Sequence, residues 1–357
     1  MNNSVAILIP TMNRADFVIR QLNYYSAVNC LYPIYIIDSS DRENFEKLKN
    51  HMEELGPKLT INHIFHPPGP DCMSFGVSSI KESYVAYAGD DDYQIPSCVE
   101  KCVDFLEKNP DYVMATGKAI SVRLKNGEIY GEVERVADYP RPDINGENGA
   151  ERIVEYFSKY FPTDFCVHRK NEFLESLKGE EEIKDRSFGT EIYRGAMAVI
   201  AGKTKSIDEL GLIRQIHKNH YGLPNTFDWI EKDDWLDSYK KFFNRTSFAI
   251  SQKDNISFKE AGDYVKRGFW LFVQIQMNRE YLQVFPSKQK PTKNTTIRTK
   301  LGKKFARLKW LYQITAQNIF KTPIPLHYAV LRPDSPYYKD FKPIIDSLAG
   351  PIKNSQS

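Results

Sequence analysis

The opening of the chain alternates short apolar runs with helix-like stretches, and each of three runs ends on a polar cluster. Val5-Ala6-Ile7-Leu8-Ile9 closes at Pro10 and gives way to Thr11, Asn13 and Arg14. Ile34-Tyr35-Ile36-Ile37 ends at Asp38-Ser39-Ser40, and Tyr84-Val85-Ala86-Tyr87 ends at Gly89-Asp90-Asp91-Asp92. Unbroken apolar runs of this length suit strands buried on both faces. A further strand is predicted over residues 59–65. Helices fill the gaps: one carrying Val18, Leu22 and Tyr25 at helical spacing, a charged one over 42–55, and one over 71–82. Connections this short predict a mostly parallel sheet with helices on both faces. Such sheets bind ligands beyond the carboxyl ends of their strands, so the three clusters are expected to converge on one edge.

Beyond residue 96 the pattern continues with a helix, a strand over 112–116 and a hairpin signal at Asn126-Gly127. Helices then dominate, over 149–160, 170–178, 191–200, 229–243 and 258–282, with a strand at 164–168 between them. The division this implies is an α/β domain over 1–225, halved near 117, followed by a mainly helical region over 226–357. Apolar residues at 41% exclude wholesale disorder, and 49 Lys+Arg against 46 Asp+Glu exclude a chain built to coat nucleic acid. No run approaches the ~18–20 apolar residues of a membrane span, and the N-terminus lacks the basic and apolar regions of a signal peptide. A reducing, cytoplasmic setting is expected, with Cys30, Cys72, Cys98, Cys102 and Cys166 as free thiols.

Three adjacent carboxylates repel one another unless a cation offsets them. A hard ion such as Mn²⁺ or Mg²⁺ takes one or two of them and completes its shell with phosphate oxygens and water. There it can neutralise charge developing on a departing diphosphate. A solvated turn or a helix cap is the plain alternative.

The segments Ile7-Leu8-Ile9-Pro10-Thr11-Met12-Asn13-Arg14, Ile36-Ile37-Asp38-Ser39-Ser40 and Tyr87-Ala88-Gly89-Asp90-Asp91-Asp92-Tyr93-Gln94-Ile95-Pro96 occur in that order. Together they resemble the first strand, second strand and Asp-x-Asp segment of family 2 nucleotide-sugar glycosyltransferases. The resemblance covers about the first hundred residues. It implies the Rossmann-like GT-A fold with a helical C-terminal extension, a divalent metal, and a nucleotide-sugar donor, a UDP-sugar in first place, held by residues 1–117. By position, Pro10, Thr11, Arg14 and Ser39 would border the nucleotide, and Asp38 would accept from the base. Asp90 would face ribose or metal, and Asp91 and Asp92 would bind the metal. Two departures stand out: Gly89 falls where the family's first acid stands in one alignment, and Met73-Ser74-Phe75-Gly76-Val77 lacks the family's Arg and Asn.

Residues 118–225 would supply the acceptor side. Phe188-Gly189-Thr190-Glu191 looks like the acidic motif that opens the family's catalytic helix, which makes Glu191 the expected base; a first-turn acid complementing the helix dipole is the competing reading. Asp185 and Asp228 are rivals. Leu212 to His220 resembles the late strand and Arg-x-x-His loop, with His217 at the metal or diphosphate and Arg214 and Lys218 as phosphate-side cations. Residues 227–235, rich in acids and Trp, could shape an acceptor pocket or form a plain amphipathic helix. The acid-free basic segment 288–321 could meet a membrane surface, pack on the domain or, in third place because no nucleic-acid fold accompanies the charge, bind RNA, and the apolar helical third could pair two copies. The implied acceptor is a glycan or a lipid-linked hydroxyl. A sugar nucleotidyltransferase and a degenerate transferase fold kept as a scaffold are the alternatives.

Overall fold

The computed structural model describes residues 4–125, 129–218, 222–284 and 324–350. The first half runs β1 (Val5–Thr11), α1 (Ala15–Ala27), β2 (Ile34–Asp38), α2 (Arg42–Leu55), β3 (Ile61–Phe65), α3 (Cys72–Ser79), β4 (Tyr84–Tyr87), β5 (Tyr93–Gln94) and α4 (Pro96–Lys108). Then come β6 (Tyr112–Leu124), β7 (Val133–Tyr139), α5 (Gly149–Ser158), β8 (Val167–Arg169), α6 (Lys170–Leu177), a π-helical turn (Phe188–Tyr193), α7 (Arg194–Ala201) and β9 (Lys203–Gln215). The helices α8 (Thr226–Ile230), α9 (Trp235–Asp254) and α10 (Phe258–Val284) follow, and two more, α11 (Leu326–Ala329) and α12 (Tyr338–Ala349), lie in the last described stretch.

The strands form one mixed, mostly parallel sheet in the order β3-β2-β1-β4-β8-β6-β9-β5, with β7 paired to β6. Parallel register sets Thr11 opposite Asp38 and Leu8 opposite Tyr87, which brings the polar ends of β1, β2 and β4 to the same edge. Burial explains the choice of residues: Ile7, Leu8, Ile9, Ile34, Ile36 and Ile37 are all 0% exposed, so these strands have no polar face to alternate with.

Where the parallel pairing of β6 and β9 shifts register, Gly117 and Gly211 let the backbones approach beneath Cys98 of α4. A Cβ on Gly117 would lie 2.4 Å from Cys98 Sγ, 2.6 Å from Glu209 O and 2.8 Å from Gly211 Cα. Two of those neighbours are backbone and cannot step aside. Gly117→Ala is therefore expected to lower the urea midpoint, at a cost of about 1–3 kcal/mol from overpacking.

The helical region is continuous with this core. Aromatic side chains of α9 and α10, Phe242, Phe269 and Phe272, pack against Phe157 and Phe188 of the second half. Asp254, the last residue of α9, accepts from Gly149 N at 2.9 Å and Ala150 N at 2.7 Å, satisfying the first turn of α5. Residues 324–350 return to the first half instead. Val330, Phe341, Ile344 and Leu348 join the core around Val18, Leu22 and Tyr93, and Ser347 Oγ lies 3.1 Å from Tyr93 Oη. Packing thus runs unbroken across position 225. The basic segment 288–321 lies outside the described residues, and no described helix is long and apolar enough to cross a membrane.

Candidate active site

The polar edge is tied together by its own side chains. Asn13 sits at φ +56°, a left-handed position that Asn tolerates, and this turns the chain sharply after β1. Its N–H donates to Ser40 Oγ at 2.7 Å and its Oδ1 accepts from Asp41 N at 2.8 Å, so the β1 and β2 ends are joined. Thr11 Oγ1 donates to Asp90 Oδ2 at 2.9 Å, joining β1 to the turn after β4. Beneath that turn, α1 contributes two buried polar side chains. Gln21 Nε2 donates to Gly89 O at 3.0 Å and to Asp92 O, and Arg20 Nη2 donates to Asp91 O at 3.2 Å.

The three aspartates have different surroundings. Asp90 is buried between Thr11 and Arg14, whose Nη1 lies 2.7 Å from its Oδ1. Burial pushes its carboxyl up to about 7 despite Arg14. Asp91 Oδ2 lies 2.8 Å from Arg14 Nη2 and 2.7 Å from His217 Nε2. Burial alone would raise it, but the His217 hydrogen bond and the Arg14 charge outweigh burial and hold it below the carboxylate range. Asp92 turns to β9, accepting from Arg214 Nε at 3.2 Å and Gln215 N at 3.0 Å. Burial and then the charge of Asp91 push it up to about 7.

Asp38, expected at the base, is 1% exposed. Its Oδ2 pairs with His63 Nε2 at 2.8 Å, and its Oδ1 accepts from Ser40 N at 2.9 Å. Phe45 stacks on His63 with centroids 4.2 Å apart. Ser39, one residue on, lines the cleft with Pro10, Thr11 and Arg14. Lys218 is exposed just past the end of β9.

The edge opens into a cleft of about 1580 Å³ whose far wall belongs to the second half. Glu191 stands on the π-helical turn, and Tyr160 Oη donates to it at 2.6 Å. A π turn inside a helix is often a functional feature, because the extra residue re-aims a side chain. Burial raises the Glu191 carboxyl, opposed by Tyr160, Arg214 and Arg194. Beside it stands Asp164, which sequence reading did not single out. Its Oδ2 is 3.6 Å from Arg194 Nη1, and burial pushes it up to about 7. Arg194 is in turn held by Glu180 through two nitrogens, Nη2 at 2.8 Å from Oε1 and Nε against Oε2. Tyr139, Pro140, Phe161, Phe165 and Phe272 complete the wall.

The rivals for Glu191 are placed otherwise. Asp185 is 2% exposed and accepts from Phe188 N, Trp229 Nε1 and Lys232 Nζ at 2.9–3.0 Å, so it fastens the π turn from below. Asp228 is exposed on α8. Trp229 and Trp235 belong to the core under Phe188, so the acidic–aromatic stretch packs the domain.

Among the described residues no group of three or more His, Cys, Asp or Glu is arranged to cage a metal. Mg²⁺-like ions seldom need a cage, since one or two protein ligands with phosphate and water suffice. Asp91 Oδ2 and His217 Nε2, side by side and facing a positively charged atom, fit such an open site.

No family model and no curated protein matches the sequence. Among solved structures the chain is similar to S. aureus TarS, with a TM-score of 0.49 and 9% identity, covering 82% of this chain and 46% of that one. It therefore spans less than half of that protein's length. For S. aureus TarS 1–349 in complex with UDP-GlcNAc the values are 0.48 and 11%, over 97% and 89%. For a mannosyltransferase from Pyrobaculum calidifontis in complex with GDP-Man and Mn²⁺ they are 0.44 and 12%, over 97% and 86%.

Proposed function

We propose that the chain is a glycosyltransferase that moves a sugar from a nucleotide-diphosphate donor to a hydroxyl acceptor with inversion at the anomeric carbon. The observation that supports it most is the meeting of Thr11, Arg14, Ser39 and Asp90–Asp92 with Glu191 around one cleft large enough for a nucleotide sugar and an acceptor. The donor's nucleoside lies against Pro10, Thr11 and Ser39. Asp38 acts through Ser40 and His63, holding the β2 turn in shape. Asp91 and His217 would hold Mn²⁺ or Mg²⁺, and such an ion supplies Lewis-acid assistance to departure of the diphosphate. Asp92, with its oxygens turned to Arg214 and the Gln215 backbone, fixes the end of β9.

On the acceptor side the aromatic wall suits the apolar faces of a sugar. Glu191, ionised, takes the acceptor hydroxyl proton as that oxygen bonds to the anomeric carbon. The bond from that carbon to the diphosphate breaks on the opposite face, and Arg14 receives the charge on the leaving group. Asp164 and Arg194 keep Glu191 in a fixed charged surrounding.

Thermal-shift measurements with UDP, GDP and their sugar conjugates, with and without Mn²⁺, test this reading. One nucleoside diphosphate is expected to raise the unfolding temperature, and more so with Mn²⁺; a ligand at one hundred times its Kd adds about 2.7 kcal/mol. Flat responses to every nucleotide would favour a scaffold, and a response to triphosphate plus sugar phosphate would favour a nucleotidyltransferase.

A further inference from the structure

Arg14 stands where Asp90, Asp91 and His217 meet. Its Nη1 lies 2.7 Å from Asp90 Oδ1, and its Nη2 lies 2.8 Å from Asp91 Oδ2 and 2.9 Å from His217 Nε2. Since Asp91 Oδ2 is also 2.7 Å from His217 Nε2, these last three atoms close a triangle. An imidazole nitrogen carries either a proton or a lone pair. With a proton, Nε2 donates to Asp91 and cannot accept from Arg14, so two N–H donors face each other along that side. Without one, it accepts from Arg14 and sets its lone pair against the carboxylate oxygen. One side of the triangle is repulsive in either form. A cation with no proton of its own satisfies the oxygen and the nitrogen together.

Resting on the site reading above, we propose that Arg14 is a placeholder for the divalent ion and the residue that makes ion binding conditional on the diphosphate. Before donor arrives, the guanidinium neutralises Asp90 and Asp91. When the diphosphate enters with its ion, the ion takes Asp91 and His217, and the guanidinium passes to the diphosphate oxygens, whose geometry matches its paired N–H groups. Arg14 is free to make this exchange. It lies in the loop between β1 and α1, its side chain is 27% exposed, and its guanidinium rests 4.4 Å from the Phe17 ring centroid, a surface it can slide across. Phe17 also stacks on His217, with centroids 5.1 Å apart, and so holds the imidazole while the arginine moves. Arg214 has no such freedom. Asp92, Tyr139 Oη at 2.8 Å and the Phe165 ring at 4.5 Å pin it from three sides.

An ion arriving alone takes Asp91 from Arg14 and leaves the guanidinium beside a second cation, with Asp90 as its remaining anion. With the diphosphate present, the displaced guanidinium is received. The two ligands are thus coupled, and the coupling is reciprocal. Mn²⁺ binding to the full chain, read from loss of the free-ion electron paramagnetic resonance signal, tests this with and without UDP or GDP. Wild type is expected to bind Mn²⁺ alone at least tenfold more weakly than with the nucleoside diphosphate. Arg14→Ala, and Arg14→Gln as a variant that keeps donor groups and volume, should bind Mn²⁺ alone at least tenfold more tightly than wild type. In both, the gain from the diphosphate should shrink. Equal binding of Mn²⁺ alone by wild type and both variants overturns the placeholder while leaving the metal site standing. No Mn²⁺ binding by any of them, even with diphosphate, overturns the site reading beneath it.

Discussion

Glu191→Gln is expected to reduce turnover by about 10²–10⁴-fold while leaving donor affinity near that of wild type. The substitution keeps the side chain's size and an oxygen for Tyr160 Oη to donate to, but it removes the only role in the proposed chemistry that requires a proton acceptor. Donor affinity survives because, among the described residues, the hydrogen-bond partner of Glu191 is Tyr160 and not Thr11, Ser39 or the aspartates after β4. The pH profile gives a second reading of the same group. Burial raises the Glu191 carboxyl, so turnover should be complete above that raised pKa and be lost as pH falls through it, at a higher pH than an ordinary carboxylate would show. Tyr160 opposes the rise, so Tyr160→Phe is expected to move the acid limb to still higher pH. Asp164 is the control. It is pushed up to about 7 and pairs with Arg194, so Asp164→Asn should shift the profile through the lost charge next to Glu191 without abolishing turnover. If Asp164→Asn lowers turnover by about 10³-fold while Glu191→Gln stays active, the base is Asp164.

The sheet was legible because its strands carry the message in their composition. β1, β2 and β4 are buried on both faces, so their apolar runs have no competing pattern; β1 and β2 run on past those runs, through Pro10 to Thr11 and to Asp38, where the two strand ends pair. β9 was readable only at its end. Its first half, Lys203-Thr204-Lys205-Ser206-Ile207-Asp208-Glu209, is polar, and it is a strand because β6 lies beside it to pair with it. The helix expected from 191 begins instead with a π turn, a feature set by Asp185, Trp229 and Lys232 fastening the chain from elsewhere in the sequence. The return of residues 324–350 to the first core likewise depends on partners more than two hundred positions away.

The candidate site divides the same way. Thr11, Arg14, Ser39 and Asp90–Asp92 were visible because strand ends are adjacent to the runs that announce them. The groups that hold them were not. Arg20 and Gln21 follow Val18 on α1 and look like ordinary polar positions, yet both are buried, and their place between Val18 and Leu22 on the inward side was the available signal. Asp164, Glu180 and Arg194 are dispersed along thirty residues with no motif, and only the folded chain makes a cluster of them. Asp38 was visible as a residue, but its partner His63 comes from the middle of β3, where nothing marks a histidine as anything but a strand residue.

Asp91→Asn separates the three adjacent aspartates. It is expected to abolish the Mn²⁺-dependent part of nucleoside diphosphate binding and to lower turnover by about 10³-fold, the scale of losing a fixed charge at developing negative charge. The argument turns on ionisation. Asp91 is held ionised by His217 and Arg14, so the amide removes a full charge from the point where an ion would sit. Asp92 is pushed up to about 7 and carries only part of a charge near neutrality, so Asp92→Asn removes less. The amide oxygen can still accept from Gln215 N, and the loss falls on the pairing with Arg214. Asp92→Asn should therefore lower thermal stability and leave the Mn²⁺-dependent shift in place. The two substitutions, made in neighbouring residues of the same type, should then fail in different measurements: one in ligand-linked stabilisation at normal stability, the other in stability at normal ligand linkage. Exchange of those two outcomes would move the ion from Asp91 to Asp92 and leave His217, which contacts only the former, without a part in holding it.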